Sequence, residues 1–165
     1  MVALEVAEAA HRVLNPDYTI TLGDTLDCDI FSAHSKRTIA ENQTYDYKEV
    51  ELDPCNAFID RIQATTKLKT FFLEGNHEQR IERWAVNNGR VGESIYKLIS
   101  PKETIAKGRE KFEMIPYEVP TGMRRGFVQI APNTKKMSTG GLVAVHGWSF
   151  AKHASSVHLD KSLRS

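Results

Sequence analysis

Residues 71–84 read FFLEGNHEQRIERW, and this stretch decides which fold the sequence predicts. The apolar run before Gly75 is typical of a short buried strand. Three polar side chains follow the glycine directly: Asn76, His77 and Glu78. Apolar residues then recur at the spacing of a helix: Ile81, Trp84 and Ala85. A strand that ends in polar residues just before a helix predicts an α/β protein with a site at the strand end.

The same alternation of helix and strand extends in both directions from this stretch. Helical spacing predicts further helices at about 2–14, 50–68 and 149–162, and the first should end before Pro16. Apolar and β-branched runs predict strands at 18–22, 70–73, 112–119, 127–130 and 142–145. Two polar segments separate these elements: a long loop at 23–47 and a partly helical stretch at 89–111.

This alternation predicts an α/β fold built in layers. The strands at 18–22, 70–73 and 142–145 lack a polar face, which is typical of central strands covered on both sides. Ligand sites in open α/β sheets lie at the carboxyl ends of such strands. We therefore expect three polar clusters to converge on one edge: Asp24 with Asp27, Asn76 with His77, and His146.

Composition excludes several classes of protein. The 165 residues suffice for one domain with a core, and 22 basic against 21 acidic side chains give a net charge of +1. Such a balance provides no long-range attraction to nucleic acid or anionic lipid. The N-terminal MVALEVAEAAHR lacks a basic n-region, so we do not expect it to act as a secretory signal, and no apolar stretch approaches the ~20 residues that span a membrane. Two cysteines are too few for a disulfide framework, so we expect a cytoplasmic protein.

The three polar clusters offer a mixed set of ligands for a cation. In GDTLD (23–27), the carboxylate of Asp24 can bridge two cations, while the glycine allows a tight turn. Asn76 offers a carbonyl oxygen and His146 an imidazole nitrogen, which makes an O, O, N set of the kind that Mn, Fe or Zn uses. His77 would point elsewhere, and it can donate a proton or stabilise charge.

Each of these residues also has a simpler interpretation. Asp24 alone would be a turn residue, and Asn76 alone would cap the helix that follows it. His146 alone would be a hydrogen-bonded histidine at the edge of the core. We prefer a shared site because all three follow apolar strands, in order along the chain.

These blocks resemble those of the calcineurin-like metallophosphoesterases. In that family a Gly-Asp-x-x-Asp block precedes Gly-Asn-His-Glu/Asp, and a His that is usually followed by Gly comes later. GDTLD (23–27), GNHE (75–78) and VHG (145–147) match these blocks over roughly residues 1–150. The resemblance implies a layered β-sandwich with flanking helices.

The resemblance also implies a role for each matched residue. Asp24 would bridge two divalent metal ions (Mn, Fe or Zn), and Asn76 and His146 would bind the second of them. His77 would act near the leaving-group oxygen. Two acidic residues would orient the site: Asp27 and Glu78. The implied reaction is hydrolysis of a phosphate ester, by a phosphomonoesterase or a phosphodiesterase, with nucleotides and nucleic acid among the candidate substrates. In the family, a metal-held hydroxide attacks phosphorus in line.

Two further blocks of the family do not occur in this sequence: Asp-x-His and Gly-His-x-His. We therefore expect residues 1–165 to be a single, incomplete metallophosphoesterase domain, a piece of a longer protein without its first and last core strands. An insert is expected at about 89–135. The alternative is a degenerate relative, a non-catalytic module that binds nucleic acid or a protein partner. A structural zinc site is a third interpretation, but four Cys or His ligands at suitable spacing do not occur.

Overall fold

A computed structural model describes residues 2–32, 35, 38–117, 127–130 and 142–145 of the chain. The helices in these ranges are α1 Val2–Leu14, α2 Ile39–Thr44, α3 Asp53–Gln63, α4 Gln79–Asn87 and α5 Gly89–Ile99. The strands are β1 Tyr18–Thr21, β2 Lys69–Leu73, β3 Phe112–Ile115, β4 Phe127–Ile130 and β5 Leu142–Val145. Shorter helical turns lie at Asp29–Phe31, Lys48–Leu52 and Lys102–Ala106.

Strands β1, β2 and β3 form a parallel sheet with β2 in the middle. In its register Thr21 of β1 lies opposite Phe72 of β2, and Phe72 lies opposite Met114 of β3. Helical segments connect each strand to the next, as parallel pairing requires. This mixture of helix and parallel strand is compatible with the α/β class that the sequence predicts.

The hydrophobic core lies between this sheet and α3. Phe72 projects from the middle strand and is fully buried, and α3 contributes Cys55, Ile59 and Ile62 at helical spacing. Two further elements close the core, with Leu26 from the loop after β1 and Ile81 from α4. The loop after β1 is therefore anchored through its own apolar side chain, which restricts where its polar residues can lie.

Helix α1 is attached to this core through a polar network around His11. The Nδ1 atom of His11 lies 2.7 Å from the hydroxyl of Thr65, and its Nε2 atom lies 2.7 Å from the hydroxyl of Thr19 in β1. Glu8 of the same helix accepts two hydrogen bonds from Arg61 of α3. In the described ranges no helix combines the length and the apolar character needed to cross a membrane.

Some helix ends lie where the sequence predicts them, and others do not. The first helix ends at Leu14, before Pro16 as predicted, but the helix predicted over 50–68 ends at Gln63. The segment predicted as a long loop contains α2. A capping box starts that helix, because Thr38 accepts from the Glu41 N–H while Glu41 accepts from the Thr38 N–H. The helix predicted at 149–162 lies outside the described residues.

The predicted position of two strands within the sheet is wrong. Strand β1 lies at an edge of the parallel sheet in the described part of the chain, and its residues are exposed or half-buried. Strand β5 is not in that sheet, since it pairs antiparallel with β4 in a second one. An apolar run indicates a strand but does not show how deeply it is buried or which strand it pairs with, because both depend on contacts distant in sequence.

Candidate active site

The loops that follow β1 and β2 meet at one edge of the parallel sheet. These strands are neighbours, so their carboxyl ends lie side by side. The backbone N–H of His77, in the loop after β2, donates a hydrogen bond to Oδ1 of Asp24, in the loop after β1, at 3.0 Å. Two of the three predicted clusters are therefore in direct contact, as the strand-end argument predicts.

Gly75 allows this close approach. A Cβ atom at that position would lie 2.1 Å from Oδ1 of Asp24 and 2.5 Å from its backbone nitrogen. Asp24 itself has a left-handed backbone, with φ at 52°, which a residue other than glycine seldom adopts. The carboxylate of Asp24 therefore sits where only a residue without a side chain leaves room for it.

The buried carboxylate of Glu78 joins the two loops through hydrogen bonds. Its side chain is buried, with 2% exposed, and its carboxylate accepts four backbone N–H groups. One oxygen accepts from Asp24 at 3.0 Å and from Gly75 at 2.8 Å, and the other accepts from Thr25 at 2.7 Å and Leu26 at 2.9 Å. The loop after β1 turns around this carboxylate, so Glu78 fixes the backbone of both loops.

The ring of His77 is held by Asp27. Nδ1 of His77 lies 3.1 Å from Oδ1 of Asp27, an arrangement that fixes the ring orientation. The Nε2 atom is then the nitrogen left to act on a ligand. Arg80 supports Asp27 from another side, donating to its backbone carbonyl at 2.8 Å with Nη1 3.6 Å from Oδ1.

Two carboxylic acids near the site, buried Glu51 and half-buried Glu74, carry no signal in the sequence. Glu51 accepts the N–H of Cys28 at 2.7 Å and the hydroxyl of Tyr45. Glu74 precedes Gly75, and burial raises its pKa to about 7, although the N–H of Tyr117 donates to it at 3.3 Å and counteracts part of that rise. Glutamate is common on exposed helices and loops, so its identity alone does not indicate burial.

The two cysteines are buried and free, which fits small core residues and not metal ligands. Burial raises the pKa of the Cys28 thiol well above its usual range, so the sulfur stays protonated at neutral pH. The hydroxyl of Tyr47 lies 3.6 Å from that sulfur. Cys28 is therefore a packing residue at the end of the loop after β1.

The complete set of metal ligands stays a prediction. Asp24 is exposed and Asn76 is half-buried, and both belong to the two loops that meet. His146 lies outside the described residues. Among the residues that the structure describes, no three or more His, Cys, Asp and Glu side chains are grouped closely enough to hold a metal ion. Asp24 and Asn76 supply oxygen donors suited to Mn or Fe, but two donors are not a complete site.

The fold and the site together define an α/β protein in which a carboxylate, an amide and an oriented imidazole lie at adjacent strand ends. In comparisons with known proteins, no protein-family model, curated protein or solved structure matches this chain. The assignment of a function therefore depends on the residues and their geometry.

Proposed function

We propose that this protein is a metal-dependent hydrolase of phosphate esters with the calcineurin-like arrangement of a layered sandwich. The observation that carries the proposal is the hydrogen bond from the His77 N–H to Asp24, which joins the GDTLD and GNHE loops at adjacent strand ends. A carboxylate that serves only as a turn residue would not need Gly75 to leave space for it. The buried carboxylate of Glu78, which organises both loops, is a further feature expected of a built site.

Asp24, Asn76 and His146 are the residues that would hold two divalent cations (Mn, Fe or Zn). When bound, the cations supply a hydroxide nucleophile at neutral pH and neutralise charge on the phosphoryl oxygens. Asp24 and Asn76 provide oxygen donors from loops in direct contact. Asp24 is exposed, so a ligand can reach it from solvent.

His77 would protonate the leaving group. As the bond from phosphorus to the leaving oxygen breaks, the proton on Nε2 passes to that oxygen and an alcohol or phenol departs. Asp27 holds the opposite ring nitrogen at 3.1 Å, which keeps Nε2 directed away from the loop carboxylate. Arg80 is about one quarter exposed and lies beside this pair, so its guanidinium can also attract an anionic ester.

The test is an assay of Mn²⁺-supplemented hydrolysis of p-nitrophenyl phosphate and bis-p-nitrophenyl phosphate. The 165-residue chain is assayed together with any longer protein encoded by the same reading frame. His77→Ala should lower kcat by roughly 10²–10⁴-fold without changing Mn²⁺ affinity, since general acids contribute that much. Asp24→Asn should weaken Mn²⁺ binding. The control is Asp17→Asn, the same change at an exposed carboxylate paired with Lys67, which should change neither kcat nor Mn²⁺ affinity.

If the His77→Ala variant hydrolyses the esters at the parent rate, His77 has no part in the mechanism. A folded protein that binds Mn²⁺ but hydrolyses neither ester would contradict the proposal and favour a binding module on the same scaffold.

A further inference from the structure

The loop after β1 is fixed by two buried carboxylates that come from different elements. Glu78, just before α4, accepts the N–H groups of residues 24–26 and thus holds the half that contains Asp24. Glu51, in the turn before α3, accepts the N–H of Cys28 and thus holds the half that contains Asp27. The first half carries Asp24, a proposed metal ligand. The second half carries Asp27, which contacts His77, the proposed proton donor.

Burial and hydrogen bonding both fix the side chain of Glu51. Its side chain is 9% exposed, and both of its oxygens are used, one by the N–H of Cys28 at 2.7 Å and the other by the hydroxyl of Tyr45. Cys28 has a left-handed backbone, with φ at 53°, although it carries a side chain. Such a conformation persists only where the surroundings impose it, and a charge-assisted hydrogen bond to its N–H is one such constraint.

The peptide group between Asp27 and Cys28 is clamped at both ends. Its N–H donates to Glu51 at 2.7 Å, and its carbonyl accepts from Arg80 at 2.8 Å. A peptide group is planar, so fixing the N–H and the carbonyl together fixes the orientation of the plane. That orientation restricts the directions in which the side chain of Asp27 can leave the loop, and here its Oδ1 lies 3.1 Å from Nδ1 of His77.

We propose that Glu51 and Arg80 are positioning residues, which clamp this peptide group so that the carboxylate of Asp27 holds His77 in the orientation needed to protonate the leaving group. The kinetic part of this inference rests on the proposed phosphate ester hydrolysis. The geometric part, that Glu51 controls His77 through the loop, does not depend on it.

The kinetic test is Glu51→Gln, with Glu49→Gln as the matched control. The amide oxygen of the variant can still accept from the N–H of Cys28, and its amide group can donate to the hydroxyl of Tyr45, but the acceptor no longer carries a charge, so the charge-assisted hydrogen bond that fixes the peptide group is weakened. A proton donor matters most for a poor leaving group, so kcat/KM should fall about tenfold on phenyl phosphate and much less on p-nitrophenyl phosphate. Mn²⁺ affinity should be unchanged. Glu49 is exposed on the same turn, and its variant should behave as the parent.

An equal fall on both esters, or a loss of Mn²⁺ affinity, would overturn the inference, because a general loosening of the loop would produce either result. Where Glu51→Gln does not fold, Arg80→Lys tests the other end of the clamp. Lysine keeps the positive charge but loses the planar fork of the guanidinium. It should show the same dependence on the leaving group.

A second measurement needs no catalytic activity. The ring ¹⁵N signals of His77 report which nitrogen carries the proton and whether Nδ1 is hydrogen-bonded. Glu51→Gln should shift these signals toward those of Asp27→Asn, while Glu49→Gln should leave them unchanged. A chain that hydrolyses neither ester but shows this shift would refute the proposed function and support the clamp. Unchanged ring signals in folded Glu51→Gln would refute the clamp whatever the activity.

Discussion

Single residues determine whether the two strand-end loops can meet. Asp24 and His77 were predicted from the blocks that contain them, since their residue types and order carry the signal, and the structure brings these two residues into contact. Glu51 and Glu74 were not predicted, because their roles follow from burial by elements distant in sequence. The motifs thus include Glu78, a supporting carboxylate within a block, but not Glu51 and Glu74, which belong to no block.

The first prediction concerns Gly75→Ala. The new methyl group would lie 2.1 Å from Oδ1 of Asp24, so Asp24 has to move. We expect a loss of about 1–3 kcal/mol in the free energy of unfolding from overpacking, and a fall of about tenfold or more in Mn²⁺ affinity measured by calorimetry.

Gly92→Ala is the matched control for steric overpacking. A Cβ atom at Gly92 would lie 2.2 Å from the carbonyl oxygen of Ala85, where α5 passes α4. That variant should lose stability while keeping its Mn²⁺ affinity. Equal Mn²⁺ affinities for the parent and Gly75→Ala would show that Asp24 is not a ligand.

The second prediction concerns Glu78→Gln. Four backbone N–H groups point at the two oxygens of Glu78, and an amide can accept with only one of them. Because two backbone donors, one of them buried, would lose their acceptor, we expect the free energy of unfolding to fall by about 2–5 kcal/mol in urea denaturation. Glu82→Gln, an exposed position on α4, should change it by less than about 0.5 kcal/mol. Equal midpoints for the two variants would contradict this account.

At the scale of elements, the sequence predicts helix and strand positions better than their ends. Strands β4 and β5 occupy the predicted ranges, and α1 ends before Pro16 as the proline predicts. Helix α2 was missed although Thr38 and Glu41 form a capping box, a spacing that can be recognised in a sequence. The helix predicted up to residue 68 ends at Gln63, and the N–H and hydroxyl groups of Thr65 and Thr66 all bond to the carbonyl of Ile62 just after it.

The third prediction concerns pH and the attachment of α1. Burial lowers the pKa of His11, whose ring bridges Thr19 and Thr65. The unfolded chain therefore binds a proton more readily than the folded one, and this contribution to stability is complete above the unfolded pKa of about 6.5. It is lost as the pH falls from there through the lower folded pKa.

The measurement for His11 is the free energy of unfolding between pH 5 and pH 8. In His11→Asn the slope of stability against pH should be smaller, even though overall stability falls through loss of the two hydrogen bonds. A variant with the same slope as the parent would show that another group accounts for the pH dependence.

At the scale of the whole molecule, the sequence predicts the class of fold but not the arrangement of its sheets. The parallel order β1-β2-β3 follows from alternating helix and strand, since each connection has a helix to cover the sheet. The pairing of β5 with β4 could not be predicted, because the residue pattern of neither strand specifies its partner. The position of His146 relative to Asp24 stays a prediction, because His146 lies outside the described residues.

The fourth prediction tests which face of the parallel sheet contributes more to the free energy of unfolding. Phe72 is fully buried against α3, whereas its neighbour Phe71 points to the other face and is half-buried. Phe72→Ala should lower the free energy of unfolding by about 3–5 kcal/mol in urea. Phe71→Ala, the same truncation one residue away, should cost much less. Similar losses for the two variants would mean that the second face is equally well packed.

The left-handed conformations of Asp24 and Cys28 have a consequence for protein engineering. The loop that contains them does not encode its own shape, since the groups that accept its N–H bonds come from residues 51 and 78. Transplanting GDTLD alone into another parallel sheet would therefore transfer the residues without their backbone conformation. A successful graft would need three separate segments of the donor, delivered together in register.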